Sequence, residues 1–165
     1  MPRNPKFIAD AMLGSLARKL RIFGFDTAYF TEGGDAELEA LARREGRVVL
    51  TSDKSLCAHS RGKGLEAYLV TGRTDLARLR TLQAQEEVVL GLGKLTGRAS
   101  RCAECNGELL LVGKREAAEA KVPAKVLASH RLFFRCTSCS RFYWHGSHWA
   151  RLRRLSSSIR TRDST

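Results

Sequence analysis

The sequence has no run of apolar residues that approaches the roughly 18 needed for a membrane-spanning helix, so it does not predict an integral membrane protein. Its first six residues are polar and basic, and no cleavable apolar segment follows them, which argues against a secretory signal. The chain also has no low-complexity tract before its Ser- and Arg-rich end. We therefore expect a soluble cytoplasmic protein with no membrane association.

Acidic residues are scarce relative to basic ones. The chain carries 17 Asp and Glu against 29 Lys and Arg, which gives a formal net charge of +12. Such a positive field attracts polyanions and opposes self-association, and nucleic acid is the expected polyanion. A basic surface without a partner is the alternative that the charge alone leaves open.

Cysteine is also sparse, with five residues, yet four of them form two pairs of identical spacing, Cys102 with Cys105 and Cys136 with Cys139. Two such knuckles supply the four thiolates of a closed tetrahedral zinc site. Strand-like runs at 108–112 and 131–135 flank the pairs, as in a zinc ribbon. Two disulfides are the alternative, but they need an oxidising compartment and would leave Cys57 as an odd thiol. The pattern therefore predicts structural Zn²⁺ bound by all four paired cysteines.

The part of the chain before these cysteines alternates between short apolar runs and amphipathic segments. Strand-like runs lie at 7–9, 27–30, 48–50 and 67–70, and helical periodicity follows each of them, at 12–23, at 35–45, from 54 onward and at 74–82. Gly24 and Gly46 stand where the first two helices are expected to end. Alternating strands and helices predict an α/β fold in which helices cover both faces of a parallel sheet.

This organisation divides the chain into two modules and a tail. We expect an α/β domain at residues 1–95, a zinc ribbon at 96–155 and a flexible basic tail at 156–165. Gly91, Gly93 and Gly97 are typical of a passage between the modules. The first module has an ordinary domain length.

Three carboxylates are expected at one edge of the parallel sheet. Asp10 and Asp53 follow the first and third predicted strands, and Asp35 opens the second helix. Ligands of open parallel sheets bind beyond the carboxyl ends of the strands, so these side chains should face one crevice. Converging acids repel one another unless a cation lies between them, and Mg²⁺ or Mn²⁺ bound there can activate water against a phosphodiester. The alternative is that Asp10 and Asp35 are helix caps and Asp53 is a turn residue.

A second group of residues has the composition of an RNA-binding surface, in which cations meet phosphates and aromatic rings stack on unpaired bases. These candidates are Arg18, Arg21, His148, Trp149, Arg153 and Arg154. The first two lie on the polar face of the first helix, and the others follow the second cysteine pair. A solvated helix face is the alternative for the arginines, and packing of the ribbon is the alternative for the aromatic rings. His148 is also a candidate for the acidic crevice.

Four segments of the chain carry a more specific pattern. They are the run from Asp10 to Thr27, the run Leu50-Thr51-Ser52-Asp53, the two cysteine pairs, and the run Phe142-Tyr143-Trp144-His145-Gly146-Ser147-His148. Together they resemble the Mut-seven C-terminal RNase family, in which a PIN-fold nuclease domain precedes a zinc ribbon. The resemblance covers nearly the whole chain and implies a PIN-like sheet and metal-dependent cleavage of RNA.

The resemblance also implies roles for individual acids. Asp10, Asp35 and Asp53 match the family's acidic positions and are therefore expected to be catalytic ligands of Mg²⁺ or Mn²⁺. Glu37 lies on the same helical turn as Asp35 and is a competing candidate. Asp75 is the acid available where many PIN nucleases have a fourth.

Three hypotheses about function follow. The leading one is a metal-dependent ribonuclease in which water attacks the phosphodiester and the zinc ribbon positions single-stranded or structured RNA. The second is a catalytically silent RNA-binding or ribosome-associated module, in which the acids are caps and the charge supplies the affinity. The third is a zinc-ribbon protein-interaction module. Acid-dependent cleavage distinguishes the first from the others, and salt-dependent RNA affinity distinguishes the second from the third.

Overall fold

A four-stranded parallel sheet lies at the centre of the first part of the computed structural model, which describes residues 5–85 and 99–160. The strands are β1 (Phe7–Ala9), β2 (Thr27–Tyr29), β3 (Val48–Thr51) and β4 (Ala67–Leu69). Their order across the sheet is β2-β1-β3-β4, and each neighbouring pair is parallel. The two central strands, β1 and β3, are fully buried. This sheet confirms the predicted α/β class.

Helices cover both faces of the sheet, as predicted. They are α1 (Gly14–Ile22), α2 (Asp35–Glu45), α3 (Lys54–Gly62) and α4 (Asp75–Gln83). Successive strand residues point to opposite faces, so Phe7 and Ala9 join a core with α1 and α4, whereas Ile8 joins a core with α2 and α3. No helix in the described ranges is long and apolar enough to cross a membrane.

Glycine residues end α1 and α2 at the predicted positions. Gly24 has a φ of +97° and Gly46 a φ of +61°, both in the left-handed region that favours glycine. The Arg47 N–H then donates to the Ala42 carbonyl at 2.9 Å and closes the last turn of α2. Each of these helices therefore ends a few residues before the next strand begins.

A three-stranded antiparallel sheet forms the second module. Its strands are β5 (Leu109–Val112), β6 (Phe133–Cys136) and β7 (Phe142–Trp144), in the order β5-β6-β7. Two short helices that the sequence pattern did not indicate, α5 (Lys114–Glu119) and α6 (Ala124–Ser129), lie between β5 and β6. Ala117, Val122 and Phe133 form a small core here, against which Trp144 packs.

The last helix returns from the ribbon to the parallel sheet. In α7 (Ser147–Arg160), Ile159 is 2% exposed and belongs to the core with α1 and α4. Arg80 on α4 also donates to the Ser158 carbonyl at 2.9 Å. The flexible tail predicted from residue 156 is therefore wrong for residues 156–160, because an apolar side chain there is buried. Residues 161–165, and the glycines at 91, 93 and 97, lie outside the described residues.

Candidate active site and metal centre

Four cysteine thiols meet where the first knuckle contacts the ribbon sheet. The Sγ atoms of Cys102, Cys105, Cys136 and Cys139 all lie within 4.8 Å of one another, and none forms a disulfide. The Cys102–Cys139 and Cys105–Cys136 sulfur pairs are 3.6 and 3.4 Å apart. Four thiolates about 2.3 Å from a tetrahedral Zn²⁺ would lie about 3.8 Å apart. The cluster therefore has the size and the donor set of a structural zinc site.

Hydrogen bonds favour the thiolate form of Cys102. Burial raises the pKa of this thiol, but the Tyr143 hydroxyl at 2.9 Å and the backbone of Cys105 and Glu104 outweigh burial and lower the pKa to about 6. Burial and the neighbouring Cys102 raise the pKa of Tyr143, so its hydroxyl stays protonated and donates. Burial and the neighbouring cysteines raise the pKa of Cys105, so the four groups are all thiolates, the form that binds metals, only when a cation lies between them.

Arg21 attaches the first knuckle to the parallel sheet. Its side chain is buried, and its guanidinium donates to the carbonyls of Thr27, Ala103 and Glu104, each at 2.8 Å. The prediction that Arg21 binds RNA is therefore wrong, because a buried guanidinium with three carbonyl partners is not available to a phosphate. Its helical position gave no sign of these long-range partners.

Asn106 makes a second link between the knuckle and β2. Its Nδ2 donates to Asp26 Oδ1 at 2.7 Å, and its Oδ1 accepts the Thr27 N–H at 3.0 Å. Burial raises the pKa of Asp26, but hydrogen bonds from Arg47 and Asn106 outweigh burial and lower it, so this carboxylate stays charged. Asn106 has a φ of +67°, which Asn tolerates better than most residues.

The three predicted acids line one cleft at the carboxyl end of the parallel sheet. Asp10 follows β1, Asp53 lies two residues after the end of β3, and Asp35 is the first residue of α2. The cleft has a volume of about 190 Å³ and is also lined by Met12 and Phe30. The expected juxtaposition is present, whereas the catalytic role of the acids stays a prediction.

Thr51 connects two of these acids. Its buried hydroxyl accepts the Asp53 N–H at 2.9 Å and donates to the Asp10 carboxylate. Asp10 also accepts the Met12 N–H at 2.9 Å, and Asp53 accepts the Ser55 N–H at 2.6 Å. Both acids thus cap the helical turns that follow them, and Thr51 fixes the position of Asp10 relative to the start of α3.

Asp35 differs from the other two acids. Gly34 is the N-cap of α2, and the Glu37 carboxylate accepts the Gly34 N–H at 2.9 Å. The interpretation of Asp35 as a cap is therefore wrong, and Glu37 is occupied at the helix start. Within the described ranges, the exposed Asp35 carboxylate has no hydrogen bond or ion pair, although the helix N-terminus favours its charge.

Asp75, the candidate fourth acid, lies away from the cleft. It begins α4, where its carboxylate pairs with Lys19 at 2.6 Å and accepts from the Ser15 hydroxyl at 3.1 Å. It does not line the acid cleft. Among residues 5–85 and 99–160, the four cysteines form the one group of three or more potential ligands close enough together to hold a metal ion, and the cleft carboxylates do not form such a group.

The remaining predicted RNA-binding residues are accessible. Arg153 and Arg154 are exposed on α7, and the Arg18 side chain on α1 is 62% exposed. His148 and Trp149, at the start of α7, line a groove between α1 and the ribbon. His148 does not line the acid cleft.

The sequence matches a known protein family and a known protein. Residues 5–156 match the model of the Mut7-C RNAse domain family. Over 118 residues the chain is 33% identical to the exonuclease mut-7 homolog of Homo sapiens, an alignment that covers 67% of this chain and 13% of that protein. No solved structure matches the chain significantly. Because the family match spans the parallel sheet, both cysteine pairs and most of α7, the chain belongs to the Mut7-C RNAse domain family of nucleases.

Proposed function

We propose that the protein is a divalent-metal-dependent ribonuclease that hydrolyses RNA phosphodiester bonds in the cleft of Asp10, Asp35 and Asp53. The observation that carries the proposal is that three carboxylates, which follow β1, follow β3 and begin α2, line one cleft of a chain with a net charge of +12. Helix capping accounts for Asp10 and Asp53 but not for Asp35. Membership of an RNase family supports RNA as the substrate.

The donors of the cleft suit Mg²⁺ or Mn²⁺, which prefer carboxylate oxygens. A carboxylate offers about four lone-pair sites. Asp10 and Asp53 each accept two hydrogen bonds, so each carboxylate keeps lone pairs that are free to bind a cation. Asp10, Asp35 and Asp53 would hold the ion. When bound, such an ion lowers the pKa of water and neutralises charge on the scissile phosphate.

Thr51 is proposed to position Asp10 for this chemistry. Thr51→Val is expected to slow cleavage by roughly ten- to a hundredfold, the range for loss of a group that orients a metal ligand. Valine has a similar shape but lacks the hydroxyl that accepts the Asp53 N–H and donates to the Asp10 carboxylate. Thr51→Ser keeps the hydroxyl and should retain most of the rate. Single-turnover cleavage at saturating RNA measures this effect apart from binding, and a wild-type rate for Thr51→Val would exclude the positioning role.

The zinc ribbon is proposed to bind Zn²⁺ through its four cysteines and to position RNA. Its last helix, α7, begins beside the ribbon and ends on the parallel sheet, so an RNA strand that follows α7 contacts both modules. Arg153 and Arg154 supply exposed charge on this helix. Such charge binds the phosphate backbone without regard to sequence.

The arginine pair leads to a prediction about salt. Arg153→Ala combined with Arg154→Ala should reduce the slope of log affinity against log salt by about 1.4, because each phosphate contact to a single strand contributes about 0.7. Fluorescence anisotropy at several salt concentrations measures the slope. Lys114→Ala combined with Arg115→Ala, two exposed residues of α5, is the matched control and should leave the slope unchanged. An unchanged slope in the α7 variant would remove this helix from the RNA-binding surface.

Cleavage of labelled RNA tests the proposed activity. Zinc-loaded protein is incubated with single-stranded RNA, hairpin RNA or DNA of the same sequence, in Mg²⁺, Mn²⁺ or EDTA. Cleavage of RNA is expected with either ion, absent in EDTA and restored by excess Mg²⁺ after brief chelation. RNA binding without cleavage would instead favour the silent RNA-binding module, which the capping roles of Asp10 and Asp53 support.

A further inference from the structure

A groove separate from the acid cleft lies between α1 and the ribbon. Its volume is about 420 Å³, which falls within the range of about 300–1,000 Å³ typical of small-molecule sites. Its walls are largely apolar and include Ile22 on α1, Leu109 on β5 and Leu152 on α7. The groove is thus formed by both modules and by the helix that joins them.

Aromatic rings form a row along the groove. His145 and Trp149 stack with ring centroids 4.1 Å apart and planes at 12°, and Phe134 lies 5.4 Å from His145. The Nε2 atom of His145 is buried without a hydrogen-bond partner among the described residues, so ring contacts orient this side chain. Burial and the nearby His130 lower the pKa of His145, so the ring is neutral at pH 7 and stacks as an uncharged aromatic.

Cations border the apolar walls. Arg18, Lys19 and Arg101 line the groove, and Glu104 is the acid among its lining residues. Arg18 lies 3.5 Å from Glu104, with 62% of its own side chain exposed. An exposed pair of this kind contributes little free energy and gives way readily to a stronger anion. The groove therefore offers an aromatic wall for a planar ring and positive charge for the phosphates that flank it.

We propose that this groove binds one unpaired base of a single-stranded RNA, with the base stacked on Trp149 and a flanking phosphate beside Arg18. The proposal rests on the proposed ribonuclease function and narrows its substrate to RNA that is unpaired near the cleavage site. A base inside a duplex is paired and stacked, so it reaches Trp149 only after melting. Every base can stack on an aromatic ring, so the groove distinguishes single-stranded from double-stranded RNA rather than one sequence from another.

Helix α1 connects the groove with the acid cleft. Ser15, near the start of α1, lines the groove, and Asp10 lies five residues before it in the acid cleft. The 9 residues of α1 span about 13 Å, so a few nucleotides are enough to reach from one site to the other. A base held in the groove would therefore determine which phosphodiester bond reaches the acids.

The test measures binding rather than cleavage, on zinc-loaded full-length protein that carries Asp10→Asn. Fluorescence anisotropy compares a labelled single-stranded RNA with the same strand carrying one abasic site at successive positions, and with its duplex. An abasic site at one position should weaken binding roughly five- to 150-fold, the range for loss of one stacked base, and the duplex should bind more weakly than the single strand. Adding Trp149→Ala should abolish the difference between intact and abasic strands, whereas Trp149→Phe should preserve most of it.

Equal affinity for intact and abasic strands would overturn the proposal, and so would a folded Trp149→Ala variant that still discriminates between them. Circular dichroism and zinc content check that this variant folds. The abasic comparison changes no groove residue, so it decides the proposal even if Trp149→Ala does not fold. Base-dependent binding together with a wild-type protein that never cleaves RNA would refute the ribonuclease function and leave the groove in place.

Discussion

Asp10→Asn is expected to slow metal-dependent RNA cleavage by about a hundredfold or more and to leave the fold intact. A bound metal ion supplies several kcal/mol of transition-state stabilisation. Loss of about 3 kcal/mol of this stabilisation lowers the rate by about a hundredfold, since each 1.36 kcal/mol changes the rate tenfold. Asparagine keeps an oxygen for the Met12 N–H and caps helices about as well as aspartate. Removing one of several neighbouring negative charges should not lower Tm in the absence of metal.

Single-turnover cleavage in Mn²⁺ measures this loss, and Asp35→Asn and Asp53→Asn should behave in the same way. Asp75→Asn is the matched control, because Asp75 pairs with Lys19 and does not line the cleft. Its rate at saturating RNA should be close to that of the wild type. Undiminished cleavage by Asp10→Asn, or cleavage that survives EDTA, would exclude the cleft from the mechanism.

Removal of metal from the cysteine cluster is expected to unfold the ribbon and to loosen the parallel sheet. Structural zinc contributes about 10–16 kcal/mol in zinc-finger peptides, which is comparable with the whole net stability of about 5–15 kcal/mol of a typical protein. Unfolding of the first knuckle would also deprive buried Arg21 of the Ala103 and Glu104 carbonyls. The effect should therefore extend beyond the ribbon.

Metal analysis should find close to one zinc per chain, and Tm should fall steeply with a chelator or with Cys102→Ser. Cys57→Ala is the matched control, because Cys57 is buried in the core with α2 and α3, outside the cluster. It should lower Tm modestly and leave the zinc content unchanged. A folded protein without zinc, a Tm that chelation does not change, or a disulfide at either pair would be incompatible with a structural zinc site.

Local patterns explain why much of this arrangement could be predicted from the sequence. Hydrophobic periodicity and the glycines at 24 and 46 depend on neighbours a few residues away, so they predicted the helices and strands around the parallel sheet correctly. Asp10 and Asp53 follow strands that end at the same edge of the sheet, so the parallel topology was enough to predict that the two side chains line one cleft. The spacing of the cysteine pairs predicted the cluster in the same way.

Errors arose where the partner of a residue is distant in the sequence. Arg21 has the pattern of a solvated helical arginine, but its acceptors in the first knuckle are about eighty residues away. Ile159 is a single apolar residue in a Ser- and Arg-rich segment. Its burial in the core with α1 and α4 stabilises the helix there, and this contact is not visible in the local sequence. The groove beside Trp149 likewise requires that α1, the ribbon and α7 pack together.

Binding of Mn²⁺ to zinc-loaded protein, followed by electron paramagnetic resonance, tests most directly whether the acid cleft holds the catalytic ion. Wild-type protein should bind Mn²⁺ in competition with Mg²⁺. Asp10→Asn and Asp35→Asn should each bind Mn²⁺ about tenfold or more weakly while keeping their zinc, since each loses an anionic oxygen donor. A wild-type protein that binds no Mn²⁺, or variants that bind it with unchanged affinity, would contradict a metal-dependent active site in this cleft.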